Sequence, residues 1–359
     1  MSTVEQQIPD EGDRLENAIE LKEVEGLSQG QIVFRRFVRH KGAMIGLVVL
    51  LGIVIIATTS IGWGPIPGWW KGGGFGGSNP VELPGGRPTL RLWDENGFNV
   101  QVGNYPFGQD MIGKDMFALT MRGTQQSLMM MVVIGLIATA VGVLIGAFSG
   151  FFRGALDNLL MRVTDVFLVL PTIVVGAVLG KIFGSVNALI LAVTLGFISW
   201  TGLARLVRGD FLALREREFV DAARVAGASN VRIMFKHMLP NAMGVIIVNT
   251  TLLMSAAILL ETALSYLGFG VRPPDVSLGW LINEYQTAFA TRPWLFWWPG
   301  LIIVAIALCI NFIGDGLRDA FDPRQRRIPT ARALRRTEKA AAKRAARAAS
   351  VGTVDGASG

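Results

Sequence analysis

The run GQDMIGKD, from Gly108 to Asp115, comes within one residue of the G-x-x-x-x-G-K-[ST] loop that cradles nucleotide phosphates. Its last position carries Asp115 where a hydroxyl would help hold Mg²⁺, and that carboxylate would meet phosphate with a like charge. No strand–helix unit brackets the run, so the chain is expected to bind no cofactor of its own, ATP included. The two histidines, His40 and His237, lie far apart, and the single cysteine, Cys309, sits in an apolar run. Neither spacing suits a metal, and no disulfide can form within the chain. With no paired His, Cys or acid cluster, we assign no catalytic residue and no metal ligand. Three polar residues inside long apolar stretches remain: Asp165, Glu261 and Asn249. Asp165 reads as the partner of Arg162, one helical turn before it, or as a pathway residue. Glu261 reads as a pathway or partner contact, or as a polar contact near a membrane surface. Asn249 suits an interhelical bond or a polar pathway.

The elements that must position these residues are long apolar helices. The chain is 51% hydrophobic and only 17% charged, where soluble domains carry about 25% charged residues. Its mean hydropathy is +0.45. A spanning helix needs roughly 20 apolar residues to cross about 30 Å of hydrocarbon. Six windows qualify: Met44–Ile61, Ser127–Gly150, Val163–Gly180, Asn187–Leu206, Ala242–Leu267 and Phe296–Ile313. In lipid the backbone must satisfy itself, so the predicted fold class is all-α, a polytopic membrane protein with six transmembrane helices. The first window has no cleavage pattern behind it and reads as a retained span, not a removed signal. Pro171 should kink the third span.

Placing both termini in the cytoplasm puts seventeen basic residues near the inner ends of the spans and eight in the outer segments, as the positive-inside rule prefers. This bias accounts for the net charge of +7 without nucleic acid. The layout is then a cytoplasmic tail over 1–43 and a first span with a long outer segment over 44–126. A five-helix core follows over 127–316, with a cytoplasmic loop at 207–240, and then a basic cytoplasmic tail over 317–359. An interfacial helix is expected near Arg35–Lys41. The outer segment opens with Gly, Pro and three tryptophans, and its stretch TLRLWDENGFNVQV predicts a hairpin turning at Asn96-Gly97. The tail ARALRRTEKAAAKRAARAAS suits a solvated, partly helical segment or attraction to anionic lipid.

Between the fourth and fifth spans, Glu216–Ala226 has good helix formers and no Gly or Pro. Gly227 supplies a break, and Ser229 can cap a second short helix running to Met238 before Pro240. Two short helices held close under the membrane can transmit push and pull.

The stretch EFVDAARVAGASNVRIMFKHMLPN, from Glu218 to Asn241, resembles the EAA loop of binding-protein-dependent ABC importer permeases. The match runs through Glu218, Asp221, Ala222, Ala223, Gly227, Ala228 and Ser229, then Leu239-Pro240-Asn241, with Asp221 where Glu is usual. YPFGQDMIGKDMFALTMRGTQQSL, GALDNLLMRVTDVFLVLP, ETALSYLGFGVRPPDVSLGWLINE and FIGDGLRDAFDPR resemble, in order, segments of dipeptide and oligopeptide permeases. The likeness covers about Pro106–Arg324 and fits the subunit with an extended outer loop after its fifth span.

The resemblance implies a type I ABC importer permease architecture in a prokaryotic cell membrane. It implies a second homologous permease, two cytoplasmic ATPase subunits that carry ATP and Mg²⁺, and an extracytoplasmic substrate-binding protein. The loop would dock on the ATPase, with Ala222, Ala223 and Gly227 allowing close approach and Glu218 and Arg224 holding register. Peptides are the implied cargo, with nickel or glutathione as alternatives within the same architecture. A self-contained channel or secondary transporter would need a filter or an ionisable relay, and the spans offer only isolated acids.

Overall fold

The computed structural model describes residues 29–70, 79–94, 97–183 and 187–321. The bundle lies in one compact unit, Phe37–Arg318. Of the other unit, Met1–Arg36 with Asp319–Gly359, the described residues 29–36 and 319–321 are helical. Most of the N-terminal tail, the Gly-rich stretch 71–78 and the basic C-terminal tail beyond 321 lie outside the described residues.

Helix α1, Gln29–Arg39, stands where the interfacial helix was expected, and α2, Lys41–Ser60, is the first span. His40 separates them in extended conformation, and its Nδ1 accepts the Ala43 amide at 3.0 Å. It is therefore a helix cap, which accounts for a lone histidine there.

The outer segment holds two small hairpins, β1 (Gly62–Trp63) with β2 (Ile66–Pro67), and β3 (Arg91–Asp94) with β4 (Gly97–Gln101). The second is the expected hairpin with its turn displaced. Gly97 pairs with Asp94 as the first residue of β4, while 95 and 96 lie outside the described residues. The nucleotide-like run folds as a capped loop. Asp110 Oδ1 accepts the Ile112 and Lys114 amides at 2.9 and 2.8 Å, and Asp115 caps the next helix by accepting the Phe117 amide at 2.8 Å. The Trp70 indole also donates to Asp115, at 2.6 Å. Gly108 and Gly113 turn the chain at φ 84° and 79°, which glycine adopts without steric cost.

Helix α3, Met116–Phe152, is the second span lengthened to 37 residues. The third window is interrupted at Pro171, where the kink was expected. It is two helices, α4 (Gly154–Val169) and α5 (from Thr172 to Phe183), and the path from α4 to Ile182 bends by 81°. Pro171 lacks an amide donor and Leu170 is extended at ψ 123°, so the helix breaks there. Helices α6 (Ala188–Gly196) and α7 (Thr201–Arg215) together form the fourth span, which reaches Arg215 instead of stopping at Leu206. Gly142, Gly146 and Gly150 of α3 face α7. A Cβ on Gly146 would stand 2.5 Å from the Ala204 carbonyl oxygen, and one on Gly150 would stand 2.7 Å from that of Arg208. Small residues every fourth position let two membrane helices touch along their backbones.

After α7 come α8 (Glu218–Val225), one helical turn at Asn230–Arg232, a π-helical turn at Ile233–Met238, and α9 (Leu239–Tyr266). The expected second short helix is thus not separate. It continues through Pro240 into the fifth span, as one run of 37 residues from Asn230 to Tyr266. The Leu239 amide bonds to the Met234 carbonyl, five residues back. That wider turn resets the ladder just before the proline, which lacks a donor and would crowd the carbonyl four residues behind it.

Helix α10, Leu278–Tyr285, lies in the loop after this span, and α11, Trp294–Phe321, is the last span. Tyr285 of α10 donates to Asp110 at 3.1 Å and ties that loop to the outer segment. Burial, and then the facing carboxylate, push the Tyr285 hydroxyl pKa up, so it stays a donor. Five helices are long and apolar enough to span, and the count is six where the bent α4–α5 pair is taken as one broken span.

Candidate functional site: a braced helical elbow

Helix α8 is eight residues long and meets the bundle through one fully buried side chain, Val220. Val220 packs in a cluster with Phe151 of α3, Phe211 of α7, Ile233, Met234 and Met238. Ala223 and Ala228 pack against the same cluster from its edge. Glu218, Asp221, Ala222, Arg224 and Ala226 are exposed, and Val225 is 91% exposed. Helix α8 is thus a two-turn helix with a single apolar anchor and an open outer face.

Gly227 closes α8 at φ 79°. Its amide bonds to the Arg224 carbonyl at 2.9 Å, and the Ala228 amide bonds to that of Ala223 at 3.0 Å. This pair of bonds is the Schellman ending, which requires a left-handed residue at the Gly227 position. Nothing lies within 4 Å of where a Gly227 Cβ would stand, so within this chain the glycine serves the turn. Ser229 accepts the Arg232 amide at 3.4 Å, the N-cap expected of it. Asp221 and Arg224 pair with each other at 2.9 Å along the exposed face. Acids in the first turn, Glu218 and Asp221, and Arg224 in the last both complement the helix dipole.

The elbow is braced by contacts that local sequence does not announce. Arg215 donates to the Phe151 carbonyl at 2.8 Å, and Arg153 pairs with Glu216 at 2.6 Å. Arg208 of α7 holds Asp157 of α4 with two bonds, Nε to Oδ1 at 2.6 Å and Nη2 to Oδ2 at 2.7 Å. Ser149 of α3 also donates to Asp157. The geometry corrects the pairing of Asp165. Its partner is Arg205 of α7, at 2.5 Å, and not Arg162. Asp165 lies eight residues, about two turns, beyond Asp157, so both carboxylates face α7 along α4.

The other polar candidates are engaged separately. Asn249 donates to the Val245 carbonyl of its own helix at 2.8 Å and makes no bond to another helix among the described residues. Glu261 is 1% exposed and accepts from Ser127 of α3 and Ser265 of α9, so it is interhelical and not a surface contact. Val220, the Arg208–Asp157 pair and the π-turn were missed at the level of sequence. Only the valine's position, two residues into an amphipathic helix, offered a local hint.

Residues 142–327, which include this elbow, match the family model for the binding-protein-dependent transport system inner membrane component. Residues 28–65 match the N-terminal TM domain of oligopeptide transport permease C. The chain belongs to this family of transport permeases. It is 37% identical over 307 residues to the oligopeptide transport system permease protein OppC of Mycobacterium tuberculosis, covering 84% of this chain and 97% of that one. A putative peptide permease protein of Brucella ovis is 37% identical over 293 residues, 80% of this chain and 89% of that one. The OppC of Haemophilus influenzae is 33% identical over 318 residues, 88% and 94%. Among solved structures, the inward-facing MetNI methionine ABC transporter is similar at a TM-score of 0.47 and 22% identity, over 58% of this chain and 98% of that one. Family and bundle together give the fold class expected from the sequence, an all-α multi-pass importer permease.

Proposed function

We propose that this chain is a permease subunit of an ABC importer for peptides, and that α8 is its contact with a cytoplasmic ATPase. The observation that carries the docking claim is the form of the elbow: α8 is held by Val220 and closed by Gly227, while its charged and apolar outer face is uncovered. The relatives named for peptides and oligopeptides support the cargo. Two such permeases line the pathway between them, two ATPases drive it, and an extracytoplasmic binding protein delivers substrate. Both termini face the cytoplasm of a prokaryotic cell, in keeping with the distribution of basic residues. Hydrolysis, with its ATP and Mg²⁺, belongs to the partner subunits.

In this mechanism, closure of the ATPase pair displaces α8. Val220 passes the movement to α7 and to the Asn230–Tyr266 helix, because packed cores resist deformation. The Arg208–Asp157 and Arg205–Asp165 pairs carry it from α7 to α4, and the break at Leu170-Pro171 lets α4 and α5 reorient. Reconstituted vesicles test the whole reading. Peptide uptake is expected only when ATP, the ATPases and the binding protein are all present. Uptake by this chain alone would overturn it.

A further inference from the structure

Glu261 is a buried carboxylate with no ion pair among the described residues. It sits instead at the end of a directed set of hydrogen bonds. The Leu278 amide donates to Ser127 Oγ at 3.2 Å, and Ser127 donates to Glu261 Oε2 at 3.1 Å. The Trp280 amide donates to Ser277 Oγ at 3.1 Å, Ser277 donates to Ser265 Oγ at 3.2 Å, and Ser265 donates to Glu261 Oε1 at 2.7 Å. The Val271 amide also donates to Ser265 Oγ, at 3.3 Å. Three amides of the segment after α9 thus feed through three serines onto one side chain. Both Glu261 oxygens accept a serine hydroxyl, so its carboxyl group is where both chains of this set end.

The packing is as close as the bonding. A Cβ on Gly123 of α3 would stand 3.1 Å from the Leu278 nitrogen, and one on Gly279 would stand 2.7 Å from the Thr262 Cα of α9. The carboxylate therefore fastens α10 and the loop before it to α3 and α9. Helix α9 is the outer end of a continuous run of 37 residues, about 55 Å at the helical rise, whose other end packs on α8.

We propose that Glu261 is a positioning residue for transport: it locks the outer segment at 271–285 to this long helix, so that movement at the coupling end reaches the outer face. This rests on the importer reading above. The test uses the complete assembly in vesicles, with the ATP hydrolysed per peptide imported as the readout. Glu261→Gln keeps the volume but replaces one acceptor by a donor, and Ser277→Ala removes the α10 cap without altering a span. Both are expected to raise ATP used per imported peptide, by about fivefold or more for Glu261→Gln, within the usual range of coupling between sites. A ratio unchanged in both variants, in an assembly whose wild type imports peptide, overturns the lock. A wild-type assembly that imports no peptide overturns the importer reading instead.

Discussion

Gly227 shows how one backbone angle shapes the proposed docking surface. At φ 79° a side chain is strained even where space is open, at about 1–2 kcal/mol. Gly227→Ala is therefore expected to weaken ATPase binding by about tenfold, the equivalent of roughly 1.4 kcal/mol, as measured by co-purification or titration. Gly227→Pro fixes φ near −65° and deletes the amide that bonds to Arg224, so it should abolish that binding while the spans stay folded. Full transport and ATPase binding in the proline variant would refute docking through α8. Two ion pairs make a second contrast. Asp157→Ala removes both bonds to Arg208 in a part-buried pair and should lower stability by about 2 kcal/mol, whereas Arg224→Ala breaks an exposed pair worth about 1 kcal/mol or less. Thermal unfolding of the purified chain in detergent orders the two, and equal effects would contradict the burial argument.

Among the elements, the α3–α7 pair depends most on side-chain absence. Gly146→Leu would drive a branched side chain into the Ala204 carbonyl and Val207, and overpacking of this kind costs about 1–3 kcal/mol. Gly202→Leu on α7 has open space around its Cβ and serves as the control. The first should lower the melting midpoint in detergent and the second should leave it in place. Identical midpoints would mean that the two helices do not meet as described. The elbow also changes character at this scale. With its second arm continuous with the fifth span, α8 packs directly on one long helix, which continues unbroken through Pro240.

For the whole molecule, the question is what covers α8 in the assembled transporter. Val225 on the open face of α8 is 91% exposed, and the one native cysteine, Cys309, is buried. A Val225→Cys substitution in a Cys309→Ser background should react readily with a maleimide in the isolated chain. It should be protected in the assembly loaded with nucleotide. Equal labelling in both states would leave the elbow bare in the working machine, and the coupling mechanism would fail.

The multi-pass helical class and the elbow's turn residues were legible in the amino-acid sequence, because both depend on neighbours within one or two helical turns. Long apolar runs report burial in lipid whatever packs beside them, and Gly227 and Ser229 announce a helix end and a helix start by local geometry. Tertiary structure alone decided the partner of Asp165, the anchoring of α8 by Val220 and the enclosure of Glu261 by serines. Each joins residues dozens of positions apart, or turns on which face a neighbouring helix presents. Apolar periodicity cannot encode that choice, because lipid and a packed helix are equally apolar surroundings.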